Sequence, residues 1–257
     1  MRTWKRKKKK PALAPSFIVA VGLVVTALIA AFVLQRTLPR REAVADRLPP
    51  PEFASLLPAG AEAAAGGALE IPDLPQSSYA VGFKAQDGNV AVALIAWDKQ
   101  QNRYALASTL VLDAGGARLE SVPTLSLMML GRGAPLAIVA KGSAGAYTDG
   151  VFIIMRQGGK LRFVAKQDKD GKAGIAFFLS GASVMHSEQV DFGDVDGDGT
   201  KDAVVTQGDA DDRGVKHEIV SAYVLKENVF TYDQELSHVL TLSKSVFPEP
   251  TAPSTLP

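Results

Sequence analysis

The sequence predicts an all-β domain carried behind one apolar, membrane-length segment. Three observations predict it. From Tyr79 onward, short β-branched and aromatic runs alternate with Gly, Asp and Asn. No stretch there keeps a long 3.6-residue apolar period. Ahead of it, Ser16–Leu34 is a run without a single charge.

Charge is distributed unevenly. Arg2, Lys5, Arg6 and Lys7 to Lys10 place seven positive charges in the first ten residues. Tyr79 to Lys244 carries 17 Lys/Arg against 20 Asp/Glu, a net of −3. The two ends are built for different surroundings. There is no cysteine, which excludes disulfides, thiolate metal sites and cysteine nucleophiles.

The elements follow in chain order. Residues 1–15 form a basic cytoplasmic tail, a topology signal that also suits contact with anionic lipid. Residues 16–35 form the transmembrane helix, since about 1.5 Å per residue spans a hydrocarbon core of roughly 30 Å. A cleaved signal peptide is the rival, with small residues Ala27, Ala30 and Ala31 as a cleavage site, but a secretory apolar region is usually shorter, about 7–15 residues. Arg36, Arg40, Arg41 and Arg47 follow the span. The excess of positive charge before it keeps the N-terminus inside and exports the rest, which fits a bacterial inner-membrane protein with a periplasmic domain. Residues 36–78, rich in Pro, Ala, Gly and Glu, read as a linker. Residues 79–245 form the β-rich domain, and 246–257 a disordered, proline-rich tail.

Within the domain, strands are expected at Ala80–Phe83, Val90–Trp97, Tyr104–Val111, Leu125–Leu130, Leu136–Ala140, Gly150–Arg156, Leu161–Ala165, Ile175–Leu179, Gln189–Phe192, Ala203–Thr206, Ile219–Leu225 and Val229–Tyr232. A weak repeat pairs Leu130–Gly142 with Phe192–Gly208, each continued by a loop, a strand and a turn. A fainter third copy begins at Gly88.

One motif carries chemistry. Asp194, Asp196, Asp198 and Asp202 stand at positions one, three, five and nine of a glycine-containing loop that runs into Ala203-Val204-Val205. Carboxylates converging without a counter-charge repel one another, and a bound cation removes that repulsion. Hard oxygen donors, with the carbonyl of Thr200 added, suit one structural calcium ion. The loop is not an EF-hand: Val205 stands where a bidentate Glu is required, and a strand follows instead of a helix.

With Phe192-Gly193 before it and the apolar triplet after it, this loop resembles the FG-GAP and VCBS-type repeat loops of integrin-like and bacterial surface proteins. The match covers residues 189–232. The resemblance implies a blade-like antiparallel sheet and calcium held by the aspartates of the loop. About twelve strands make three four-stranded blades, so it implies an incomplete or small β-propeller-like domain, an oligomeric ring, or a compact β domain with one blade-like hairpin. The segment at Gly133–Pro135 does not fit the family pattern.

Other features point to no chemistry. His186, His217 and His238 have neither HExxH spacing nor a nucleophile elbow beside them, and read as surface residues. Asp209, Asp211 and Asp212 read as a solvated loop, and Asp168–Gly171 as a turn. No glycine-rich loop leads into a helix, so no nucleotide site is expected; a nucleic-acid role for the basic tail is the weaker alternative to its reading as a topology signal, and no nucleic-acid partner is expected. The sequence thus suggests a non-catalytic module presenting loops to a protein or glycan partner in the envelope, with oligomerisation open. The alternatives are an envelope-polymer hydrolase using Glu188 or Asp209, and a structural subunit of an envelope complex.

Overall fold

The computed structural model describes residues 51–63, 68–72, 76–132, 135–182, 186–210 and 216–246, all within one compact unit, Arg47–Pro257. The basic tail, the expected transmembrane helix at 16–35 and residues 247–257 lie outside the described residues. Among the described residues, no helix is long and apolar enough to cross a membrane.

The described chain is almost entirely antiparallel β-structure. A one-turn helix α1 (Phe53–Leu56) and β1 (Glu62–Ala63) lead into a first meander of β2 (Leu69–Ile71), β3 (Ser78–Lys84), β4 (Val90–Asp98) and β5 (Arg103–Val111). A small hairpin, β6 (Asp113–Ala114) and β7 (Ala117–Arg118), connects it to a second meander: β8 (Thr124–Met129), β9 (Leu136–Gly145), β10 (Thr148–Gln157) and β11 (Lys160–Phe163). A bent ribbon follows, made of β12 (Ala165–Gln167), β13 (Ala173–Ile175) and β14 (Phe177–Ala182). The third meander is β15 (His186–Gly193), β16 (Asp202–Ala210), β17 (Lys216–Lys226) and β18 (Val229–Asp233), closed by helix α2 (Gln234–Val246). All twelve expected strands overlap observed ones.

Alternation along each strand stacks the meanders in layers. Ala91, Ala93 and Ile95 of β4 face one core cluster. Val92 and Leu94 face the next, where they share a core with Ile138, Ala140, Phe152 and Ile154 of the second meander. The opposite face of that meander, Ala137, Val151 and Ile153, packs on Ala203, Val205, Leu225 and Phe230 of the third. The first and second layers are therefore buried on both faces. This is why Val90–Ile95 reads as an unbroken apolar run instead of alternating.

The ribbon joins the second and third layers. β11 pairs with one half of β10 and β14 with the other half. The chain then carries β12 across to pair in parallel with β18, Ala165 opposite Val229. At the crossing, Ile153 N–H donates to Ala176 O, Val164 N–H to Ile153 O and Ala176 N–H to Val164 O, at 2.7–3.1 Å. The three strands therefore meet without losing backbone hydrogen bonds.

Two expectations need correction. The stretch read as linker up to residue 78 contains α1, β1 and β2. Its Phe53, Leu56, Leu57, Ala61 and Ala68 cover the outer face of β3 and β4, with the Phe53 ring 5.1 Å from that of Tyr79. Prolines stop this segment from forming long elements, but its scattered apolar residues still have surface to remove from water.

The second correction is α2, 13 residues long, where the sequence predicts no helix and a tail that begins at 246. Asp233 accepts from Leu236 N–H at 2.9 Å, as a helix-starting cap does. The face that meets the sheet is mixed, with half-buried Leu236 and Leu240 beside Ser237 and Thr241. Ser237 and Thr241, four residues apart, take the hydrogen bonds of Ala222 N–H (2.8 Å) and Val220 N–H (2.9 Å), at the last β17–β18 pair, Ala222 with Asp233, and just beyond it. A short helix whose inward face mixes two leucines with the hydroxyls that satisfy a strand edge carries only a brief apolar period.

Candidate metal centre

The aspartate loop, residues 194–201, joins β15 to β16 in the third layer. Gly197 and Gly199 take positive φ of 81° and 86°, which lets the chain reverse tightly. The turns are pinned by the aspartates themselves. Asp194 accepts from Gly197 N–H at 2.8 Å and from Gly199 N–H at 3.0 Å, and Asp196 accepts from Asp198 N–H at 3.1 Å.

Asp202 is the buried member. It has no exposed surface, and its two carboxylate oxygens accept from Val195 N–H (3.1 Å) and Leu225 N–H (2.9 Å). It therefore ties the loop to β17 as well as to its own strand. Burial pushes its carboxyl above the usual carboxylate range. The two N–H donors oppose that shift, and the charges of Asp196 and Asp198 add to it.

Of the expected ligand set, Asp194, Asp196 and Asp202 come together, with one carboxylate oxygen from each within 4.8 Å of the others. Calcium holds its oxygens at about 2.3–2.6 Å, so oxygens around one ion lie up to about 5 Å apart, and the trio fits that shell. Asp198 is turned elsewhere. It accepts from the hydroxyl and the N–H of Thr200, and the hydroxyl bond foremost holds its carboxyl below the usual range. Thr200 forms an antiparallel bridge with Gly131, and Lys201 N–H donates to Leu130 O at 2.6 Å.

No family model, curated protein or solved structure matches the chain. Its site is therefore read from its own residues.

Sequence reasoning missed Gly131. It lies in the second copy of the repeat, which lacks aspartates, yet its turn sits directly against the aspartate loop. A Cβ on Gly131 would come within 2.9 Å of Thr200 Cγ2, so the close approach requires glycine. The signal was the placement of Gly131 in one repeat copy opposite the metal-type loop of the other. Asp209 also differs from expectation. It lies in β16, paired with His186, and not in a loop. Glu188 is half-buried, and burial raises its carboxyl against the pull of Gln207, His186 and Lys166.

Proposed function

We propose that the chain is a membrane-anchored, extracytoplasmic β module stapled by one calcium ion and acting as a non-catalytic interaction domain. The observation that carries this reading is the convergence of Asp194, Asp196 and Asp202 at a hairpin. Asp194 and Asp196 would supply exposed oxygens. Asp202 would supply a buried one already fixed by two backbone donors, so little ordering remains to be done on binding. The ion would neutralise three carboxylates in a loop that also touches the second layer through Gly131. Three successive four-stranded meanders, stacked face to face, support the likeness to FG-GAP and VCBS-type blades. The apolar run at Ser16–Leu34 and the basic residues before it supply the anchor and its orientation. A protein or glycan of the envelope is the partner class such a module would serve.

Thermal unfolding of the full chain in detergent, in chelator and in millimolar calcium, tests the reading. At a hundred times the dissociation constant, calcium stabilises by about 2.7 kcal/mol. An Asp194→Asn/Asp196→Asn variant should lose that increment. A wild-type melting temperature unchanged by calcium removes the ion from the proposal.

A further inference from the structure

The outer face of the first layer is apolar and out of water: Val81, Phe83, Ala91, Ala93 and Ile95 are each at most 2% exposed. What covers it is slight. Residues 51–63 lay Phe53, Leu56, Leu57 and Ala61 on this face. Phe53, Leu56 and Leu57 stand at i, i+3 and i+4, the spacing by which one turn of helix sets its anchors into an apolar groove. α1 is four residues long, none of them is buried, and no side chain caps it. Its hydrogen bonds stay inside the segment: the N–H and the hydroxyl of Ser55 both donate to Glu52 O, and Ala61 N–H donates to Pro58 O. Among the described residues, the segment's ladder to the body of the fold is β1 on β3, two pairs long, with Glu62 opposite Lys84 and Ala63 opposite Phe83. The cover at the other end of the stack is built differently. α2 is 13 residues long, capped by Asp233, and bonded to β17 through Ser237 and Thr241.

We propose that the outer face of the first layer is a docking groove for a Phe-x-x-Leu-Leu turn, filled by the chain's own residues 51–63, and that two copies of the chain exchange these segments. An apolar face of this extent is unfavourable when bare, so a segment that leaves it must be replaced by another. The segment that fits is the chain's own, and a second copy carries the same one. The fit is specific in two places. The Phe53 ring meets that of Tyr79 at 5.1 Å. Glu62 stands opposite Lys84, a cross-strand pair of opposite charge. Both contacts form equally well within one copy or between two. Reciprocal exchange is isologous: each copy gives one segment and receives one, so the assembly closes as a dimer and does not grow further. The hydrogen bonds of α2 to β17 confine exchange to the first layer.

The chain has no cysteine, so introduced thiols report single contacts. Glu62→Cys and Lys84→Cys are placed in separate full-length chains carrying different affinity tags. The two are mixed in detergent, incubated, and joined with a short bismaleimide. Exchange predicts a cross-linked pair bearing both tags, at several-fold the yield given by Glu62→Cys mixed with Tyr147→Cys. Tyr147 is 79% exposed in the turn between β9 and β10, so that mixture measures chance collision. Glu62→Cys/Lys84→Cys in one dilute chain should cross-link internally, which checks the seat of the segment. Adding Phe53→Ser/Leu57→Ser to the Glu62→Cys chain should return the two-tag yield to the collision level. The Lys84→Cys partner keeps its groove unaltered, so that loss is not a lost fold. A two-tag yield no higher than with Tyr147→Cys, a yield that Phe53→Ser/Leu57→Ser leaves unchanged, or no internal link in the double-cysteine chain would each overturn the proposal.

Discussion

Asp202 holds two roles that one substitution can separate. Both of its oxygens accept backbone N–H groups, one from Val195 in its own loop and one from Leu225 on the neighbouring strand. Asp202→Asn keeps the shape but turns one acceptor into an NH2 donor facing a backbone N–H. Leaving a buried donor without a partner costs about 1–3 kcal/mol. Removing a buried charge gives part of that back, since burial disfavours the ionised carboxyl. The net expectation is a loss of about 1–2 kcal/mol, or roughly 2–8 °C in melting temperature at the 2–4 °C per kcal/mol of a domain this size. The loss should appear in chelator, before any ion is involved, in melts followed by circular dichroism. Asp196→Asn is the contrast. Its carboxylate is exposed and accepts one exposed N–H, so in chelator it should change stability by less than about 0.5 kcal/mol. Both variants should lose the calcium increment. An Asp202→Asn protein that melts with wild type in chelator would refute the reasoning, because the two hydrogen bonds would then contribute nothing.

Three further predictions concern other parts of the fold. Ser237→Ala leaves Ala222 N–H without its acceptor against the helix and should cost about 1–3 kcal/mol; faster hydrogen exchange at the Ala222 amide, more than elsewhere in β17, is the local readout. Gly131→Ala should push Thr200 away, lower the melting temperature in chelator and weaken calcium binding at once; unchanged calcium affinity would show that the bridge does not shape the loop. Burial, with Asp168, Tyr232 and Glu188 nearby, pushes the Tyr223 hydroxyl up to about 12 from 10.0. Because the folded state holds this proton more tightly than the unfolded chain, its contribution to stability is complete below pH 10 and is lost as pH rises from 10 toward 12. Tyr104 is also raised by burial, so ultraviolet titration of tyrosinate should show a late-ionising component that Tyr223→Phe reduces and does not abolish.

The strands were legible because burial on one face or both leaves a local mark. Val90–Ile95 and Gly150–Ile154 are apolar enough to be found without knowing what covers them. The aspartate loop was legible because its spacing is local, although Asp198 turns to Thr200 and only three of the four carboxylates converge. What the sequence concealed depends on pairing at a distance. Helix α2 presents hydroxyls to a strand edge, Gly131 matters only because Thr200 is opposite, and the His186–Asp209 pair exists only through register. The segment before residue 78 was misread for a related reason: proline content describes what the backbone cannot form, and says little about which apolar side chains find a surface.

The parallel seam between β12 and β18 bears on the order in which the domain assembles. Nearly every other strand pairs with a neighbour in sequence, so each meander can zip from its own turns. Ala165 reaches Val229 only after 229 − 165 = 64 residues of chain have been gathered. By loop-closure entropy that costs about 2 kcal/mol more than a five-residue turn, for a ladder of only three residue pairs. Closure of the β12–β18 seam is thus a late event of folding, later than the antiparallel join that β14 makes between β10 of the second layer and β15 of the third. Until it happens, β18 and the ribbon present bare strand edges, and the nascent domain is at its most prone to join with another copy of itself.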